Sequence, residues 1–234
     1  MSFIQGIIEE ANFELIRSRI ASILTDEFAN QIALNQTALN AELAKPTPDP
    51  VIVAQLELNL SALPSKVWEE RFRRPEPNEY SEEPLVNVIF TNSPLNELSS
   101  VSSQIGDCVY PIEVYAGSKA AENEDDLPGD QVASIKLQRC LAIIRAIIMN
   151  PNYQSLGFDY KTSPVGKVNA NSLQIGQPDD GGDNAQNGIR GQINIQVKIS
   201  ETVEQITGGS LTLSETTFKL FDSEKGYYWT NESN

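Results

Sequence analysis

Histidine is absent from the 234 residues. That removes the usual general base, the commonest metal ligand and the base half of every Ser-His or Cys-His nucleophilic pair. Cysteine is nearly absent: Cys108 and Cys140 stand alone, too few and too far apart for a zinc site. Cys140 falls in an apolar helical stretch, which predicts a buried, inert thiol; spacing leaves a bridge between the two open. Positive charge is also short, with 17 Lys and Arg against 32 Asp and Glu and a formal net charge of −15. Proteins that grip nucleic acid neutralise phosphates with cations, so this balance excludes a basic grip and suits a surface that nucleic acid slides past. No stretch reaches the ~20 apolar residues needed to cross a bilayer. The start, MSFIQGIIEE, lacks the basic and long apolar regions of a secretory signal. A protein made in a cytoplasm and working in water is expected. Neither Gly-x-x-x-x-Gly-Lys-Ser/Thr nor Gly-x-Gly-x-x-Gly occurs, so no phosphate-cradling loop is in view.

What is present begins with one long helix. Pro128-Gly129-Asp130 reads as a helix start, with Asp130 offering its carboxylate to the orphan N–H groups of the first turn. From Val132 to Met149, Ala133, Leu137, Cys140, Leu141, Ile144, Ile147 and Ile148 fall on one side, with Ser134, Gln138 and Arg145 opposite. Val132, Ile135 and Ile143 widen the arc, predicting burial against a sheet and a second partner. Asn150-Pro151 ends the run. Around it, Leu85–Thr91 and Cys108–Tyr115 read as strands, the latter at an edge, bulged or starting late because Pro111 cannot donate to a ladder. Ile189–Ile199 alternates, with Ile193, Ile195, Val197 and Ile199 inward and Gln192, Asn194, Gln196 and Lys198 outward. Val165–Ile175, with Val168, Leu173 and Ile175 as its apolar positions, pairs with it across a Gly-rich loop. Phe3–Leu24 reads as an amphipathic helix, Asp26–Ala44 as a second and weaker one, Val51–Leu63 as a strand, and Leu211–Phe221 as a further strand. These elements predict an α+β fold. Its sheet is mixed and largely antiparallel, with the N-terminal helix and the long central helix packed on one face. A single domain over 1–234 is expected, with 45–84 as a proline-rich arm or insertion.

Two aromatic stretches are candidate contact sites. Residues 63–84 carry Trp68, Arg71, Phe72, Arg73 and Arg74 among four prolines and six glutamates. Arg and aromatics interleaved in this way can stack single-stranded nucleic acid. The acidic flanks instead favour an arm that anchors onto its own domain or a neighbouring subunit, and Arg71, Arg73 and Arg74 are expected to pair with acidic residues of a neighbour. Tyr227, Tyr228 and Trp229 either anchor on a partner, a cell-surface receptor included, or close the core as a last strand. The acidic runs at 122–126 and 179–183 match no calcium loop and read as solvated loops, so no metal or cofactor is expected. An enzyme would need a carboxylate pair from Glu113, Asp125 and Asp130. No nucleophile accompanies them, and no residue is assigned a catalytic role.

The order of elements resembles the tail terminator proteins of tailed bacteriophages. The likeness is carried by the helix Phe3–Leu24, the strand Leu85–Thr91, and the Ile112-Glu113-Val114-Tyr115 motif. It continues in the helix with Ala133, Leu137, Leu141 and Ile144, which ends in Asn150-Pro151, and in the Gly191–Val197 strand. It covers most of 3–24 and 85–221; the segment 45–84 departs from it. The resemblance implies a structural virion protein rather than an enzyme: a homo-oligomeric ring, usually a hexamer, that caps the tail tube and stops its polymerisation. The implied partners are the tail tube protein, a neck, head-completion or portal-side protein, and the sheath where a tail has one. DNA would only pass through the lumen, and no membrane is involved. Related roles implied are a neck or tail-completion adaptor, or a tube or baseplate component. Six copies would multiply the charge of −15 sixfold, which suits an opening that DNA crosses without adhering.

Overall fold

The computed structural model describes residues 12–71, 75, 79–80, 82–92, 103–118, 127–158, 165–176 and 188–202, all within a unit running Glu10–Val203. Helices α1 (Asn12–Leu43) and α2 (Pro50–Leu60) come first, then strands β1 (Val67–Glu69), β2 (Leu85–Val88) and β3 (Ser103–Gly117). Helix α3 (Gly129–Ile148), a 3₁₀ turn at Pro151–Tyr153, and strands β4 (Val165–Gly176) and β5 (Gly188–Thr202) complete the order. One five-stranded sheet runs β1-β2-β3-β5-β4. Only β1 and β2 pair in parallel; the other neighbours are antiparallel. The fold is therefore α+β on a mixed, largely antiparallel sheet.

Strands β3 and β5 form the spine, paired without interruption from Ser103↔Thr202 to Gly117↔Gly188. Pleating sends alternate residues to opposite faces, and Cys108, Tyr110, Ile112 and Val114 share a face with Ile193, Ile195, Val197 and Ile199. Both long helices meet that face. Leu137 and Leu141 of α3 stand directly over Gly191, and the Tyr110 hydroxyl donates to the Phe13 carbonyl of α1 at 3.1 Å. Ile16, Ile20 and Leu24 of α1 join Leu137, Cys140, Leu141, Ile144 and Ile148 of α3 in one buried cluster with the strands. Every residue expected on the apolar side of α3 is buried, while Gln138 and Arg145 are exposed.

Asp130 meets the first turn of α3 as expected, its Oδ1 accepting from the backbone N–H of Gln131 at 2.9 Å, with Pro128 at the N-cap position. Three local expectations are corrected. The first two helical stretches are one: α1 runs unbroken through Thr25 and Asp26, the Thr25 hydroxyl donating to the Ala21 carbonyl at 2.8 Å; residues 1–11 lie outside those described. Val51–Leu63 is not a strand. Asp49 Oδ1 accepts from Val51 N and Pro50 occupies the first turn, a pairing that starts a helix. The arm also contributes a strand, β1, which Arg17 and Ser18 of α1 hold through Glu69.

Pro111 lies inside β3, neither at the sheet's edge nor at a strand start. Its carbonyl accepts from Ile89 N at 2.9 Å, but it has no N–H to return, and regular pairing with β2 stops at Val88. In β4 the register slips between Ala170 and Ser172. That one-residue shift places Val168, Leu173 and Ile175 opposite Val197, Ile193 and Gly191, all on the helix-bearing face.

Candidate functional site

The arm brings Trp68 and Arg71 together as lining of a cleft of about 410 Å³, with Ser65, Lys66, Glu79 and Glu83 beside them. Lys66 Nζ stands 3.7 Å from the centre of the Trp68 ring and the Arg71 guanidinium 4.9 Å from it, so two cations share one π system. Both ends of the cleft carry their own counter-charge. Arg71 is ion-paired with Glu79 of the same chain, and Ser65 N and Oγ donate to Glu83 at 3.1 and 2.7 Å. Buried Asn87 pins Arg71 from beneath, accepting from its N–H at 3.1 Å and donating to its carbonyl at 2.8 Å. Arg71 therefore has its carboxylate within the chain, where pairing with a neighbour was expected. A cleft lined by two glutamates, one of them already paired with Arg71, is poorly suited to phosphate, and its exposed indole suits contact with protein. Phe72, Arg73, Arg74, Tyr227, Tyr228 and Trp229 lie outside the described residues.

A second surface, which the sequence did not disclose, lies where α3 meets β4, the last strand of the sheet among the described residues. Leu141, Ala142 and Ala146 of α3, Met149 just past its end, and Leu173 and Ile175 of β4 line an apolar groove of about 540 Å³, with Gln138 and Arg145 beside them. Met149, Leu173 and Ile175 are 53%, 46% and 49% exposed. They point to the side the helices cover, but α3 stops short of the edge. The signal available was the apolar pair Leu173 and Ile175; what hid the groove was that α3 fails to roof it.

A third surface is α2 itself. Its sequence PVIVAQLELNL is among the most apolar of the chain, yet none of its residues is buried, and Val51 is 72% exposed. It is joined to α1 through a turn held by Glu42, whose carboxylate accepts from Lys45 Nζ and from Asp49 N at 3.1 Å. Asn59 Oδ1 accepts from Arg139 of α3 at 2.7 Å. Val53, Leu56 and Leu60 are half-buried, while Val51, Ile52 and Ala54 are exposed.

The face of the sheet turned away from α3 carries a polar row beside a small apolar cluster of Tyr80, Leu85 and Tyr115. Glu113 is ion-paired with Arg190, and hydrogen bonds run on from Arg190 through Gln192 and Asn194 to Ser172. Glu113 thus stands on the opposite side of the sheet from α3 and its Asp130, so these two carboxylates do not form the pair a general acid and base need; Asp125 lies outside the described residues. Cys108 and Cys140 are buried and unbridged, and burial pushes the Cys140 thiol far above its ordinary value. Among the described residues no group of three or more His, Cys, Asp or Glu could hold a metal ion, and no helix is long and apolar enough to cross a membrane. The acidic runs at 122–126 and 179–183 are outside those residues.

No family model matches the chain, and no curated protein matches it.

Proposed function

We propose that the protein is a ring-forming structural component of a bacteriophage tail, a terminator that caps the tail tube, ends its growth and presents a face to the neck or portal side. One observation carries this reading: the chain leaves apolar surface uncovered at two separate places. The α3–β4 groove lies beside β4, and α2 packs on α1 and α3 with its outer side exposed. Two different apolar surfaces on one chain favour head-to-tail association, which closes into a ring when the rotation between copies permits. Outside the 45–84 segment, which adds α2 and β1, the order helix, strand, strand, helix, strand, strand agrees with the family resemblance, as does the strongly acidic composition. In the tail, the partners would be the tube protein below, a head-completion or portal-side protein above, and DNA in transit.

Purified full-length chain should give a closed, non-elongating ring by sedimentation and negative-stain imaging. Added to polymerising tube protein, it should shorten the tubes as its concentration rises. Tubes built from stacked copies of the chain itself would move it to the tube proteins. A compact monomer that leaves tube length unchanged would defeat the proposal.

A further inference from the structure

We infer that the α3–β4 groove is the socket for α2 of a second copy of this chain. The inference rests on the ring reading and assigns that ring its subunit contact. The two surfaces match in length: Gln138 to Met149 covers about 16 Å of α3, and the 11 residues of α2 cover about the same. They match in character, since Val51, Ile52 and Ala54 present small and branched apolar groups to a trough floored by Leu141, Ala142, Ala146 and Ile175.

They also match in charge. Arg145 is the only charged residue lining the groove, and it has no ion pair among the described residues, although acidic groups outnumber basic ones nearly two to one in this chain. Glu57 is the only charged residue of α2 and likewise has no ion pair among the described residues. Seating α2 in a neighbour's groove brings these two together at the rim. Because socket and plug are different surfaces of one chain, each copy uses both, and the contact is heterologous.

The test uses the full chain with single cysteines at exposed sites, Val51→Cys and Ile175→Cys; the native thiols are buried and do not react with a short bismaleimide cross-linker. Mixed in equal amounts, the two variants should yield a cross-linked heterodimer, neither should cross-link to itself, and the doubly substituted chain should give a ladder of multimers. Arg145→Glu and Glu57→Arg should each weaken assembly roughly two- to fivefold, as expected for an exposed ion pair, and together should restore it. Self-linking of the Ile175→Cys variant would mean groove-to-groove pairing and overturn the inference. A wild-type ring without the 51–175 cross-link would overturn it as well while leaving the ring reading intact. A chain that stays monomeric at its solubility limit and gives no cross-link would end both. Cross-linking without rescue by the charge swap would overturn the Arg145–Glu57 register.

Discussion

Gly191 is the position at which the core has least room to give. It lies in β5 between Val114 and Ile175, and a Cβ there would fall 2.6 Å from Leu141 Cδ1 and 3.1 and 3.3 Å from the two methyl carbons of Leu137. Two effects compete in Gly191→Ala. Restricting the unfolded chain stabilises by about 0.4–1 kcal/mol, whereas an extra methyl in a filled core costs about 1–3 kcal/mol. Leu137 and Leu141 are almost wholly buried, so neither can swing into solvent, and overpacking wins. The net loss should be about 1–2 kcal/mol, a fall in melting temperature of about 2–8 °C for a chain of this size. Urea titration of wild type, Gly191→Ala, Leu141→Ala and the double variant isolates the cause. Leu141→Ala alone should cost about 2–5 kcal/mol, and less in the Gly191→Ala background, where the new methyl fills part of the cavity. A Gly191→Ala protein as stable as wild type, or a Leu141→Ala cost identical in both backgrounds, would refute the packing argument.

Three further outcomes are expected. Tyr110→Phe removes the bond to the Phe13 carbonyl and should lower stability by about 0.5–1.5 kcal/mol, with hydrogen exchange accelerating first in the N-terminal turns of α1. Burial lowers the Lys136 pKa below its ordinary 10.5, with the charge of Glu82 opposing. The folded chain then gives up this proton before the unfolded chain does. Stability from this group therefore rises with pH through the window between the lowered value and 10.5, and urea midpoints should lose that rise in Lys136→Met. The hydrogen bond from Lys45, then that from Asp49 N, holds the Glu42 carboxyl below its ordinary 4.5. Its contribution is present above 4.5 and fades as pH falls through the lowered folded value. Circular dichroism of Glu42→Gln should show a flatter acid limb than wild type.

Where periodicity and burial coincide, the fold is legible from residue order. The seven apolar positions of α3 and the four of β5 are all buried, because each element has one side toward the core and repeats at its own spacing. The errors fall where one pattern fits two conformations or where a partner decides. In α2, Val51, Val53, Leu56, Leu58 and Leu60 nearly alternate, so a strand reading is natural; the deciding residues are Asp49 and Pro50, which cap and start a helix. At Val67–Glu69, three residues become a strand only because β2 lies alongside. Trp68 and Arg71 are legible as a contact pair from aromatic and cation adjacency, but Glu79 as the partner of Arg71 is not, since eight residues of arm separate them. The groove was least legible of all. It joins Met149 to Leu173 and Ile175 through a bulge at Ala170–Ser172, and hydropathy does not say whether an apolar residue has a roof.

Pro111 shows that a strand's length need not be a property of its own residues. Ile89 and Phe90 are good strand formers, and β2 ends before them because the chain opposite offers a carbonyl and no amide. Replacing Pro111 with valine should let the ladder zip onward toward Asn92, where an isolated bridge to Val109 already waits. One imino acid in the middle strand thus acts as a molecular ruler, cutting its neighbour to size from across the gap.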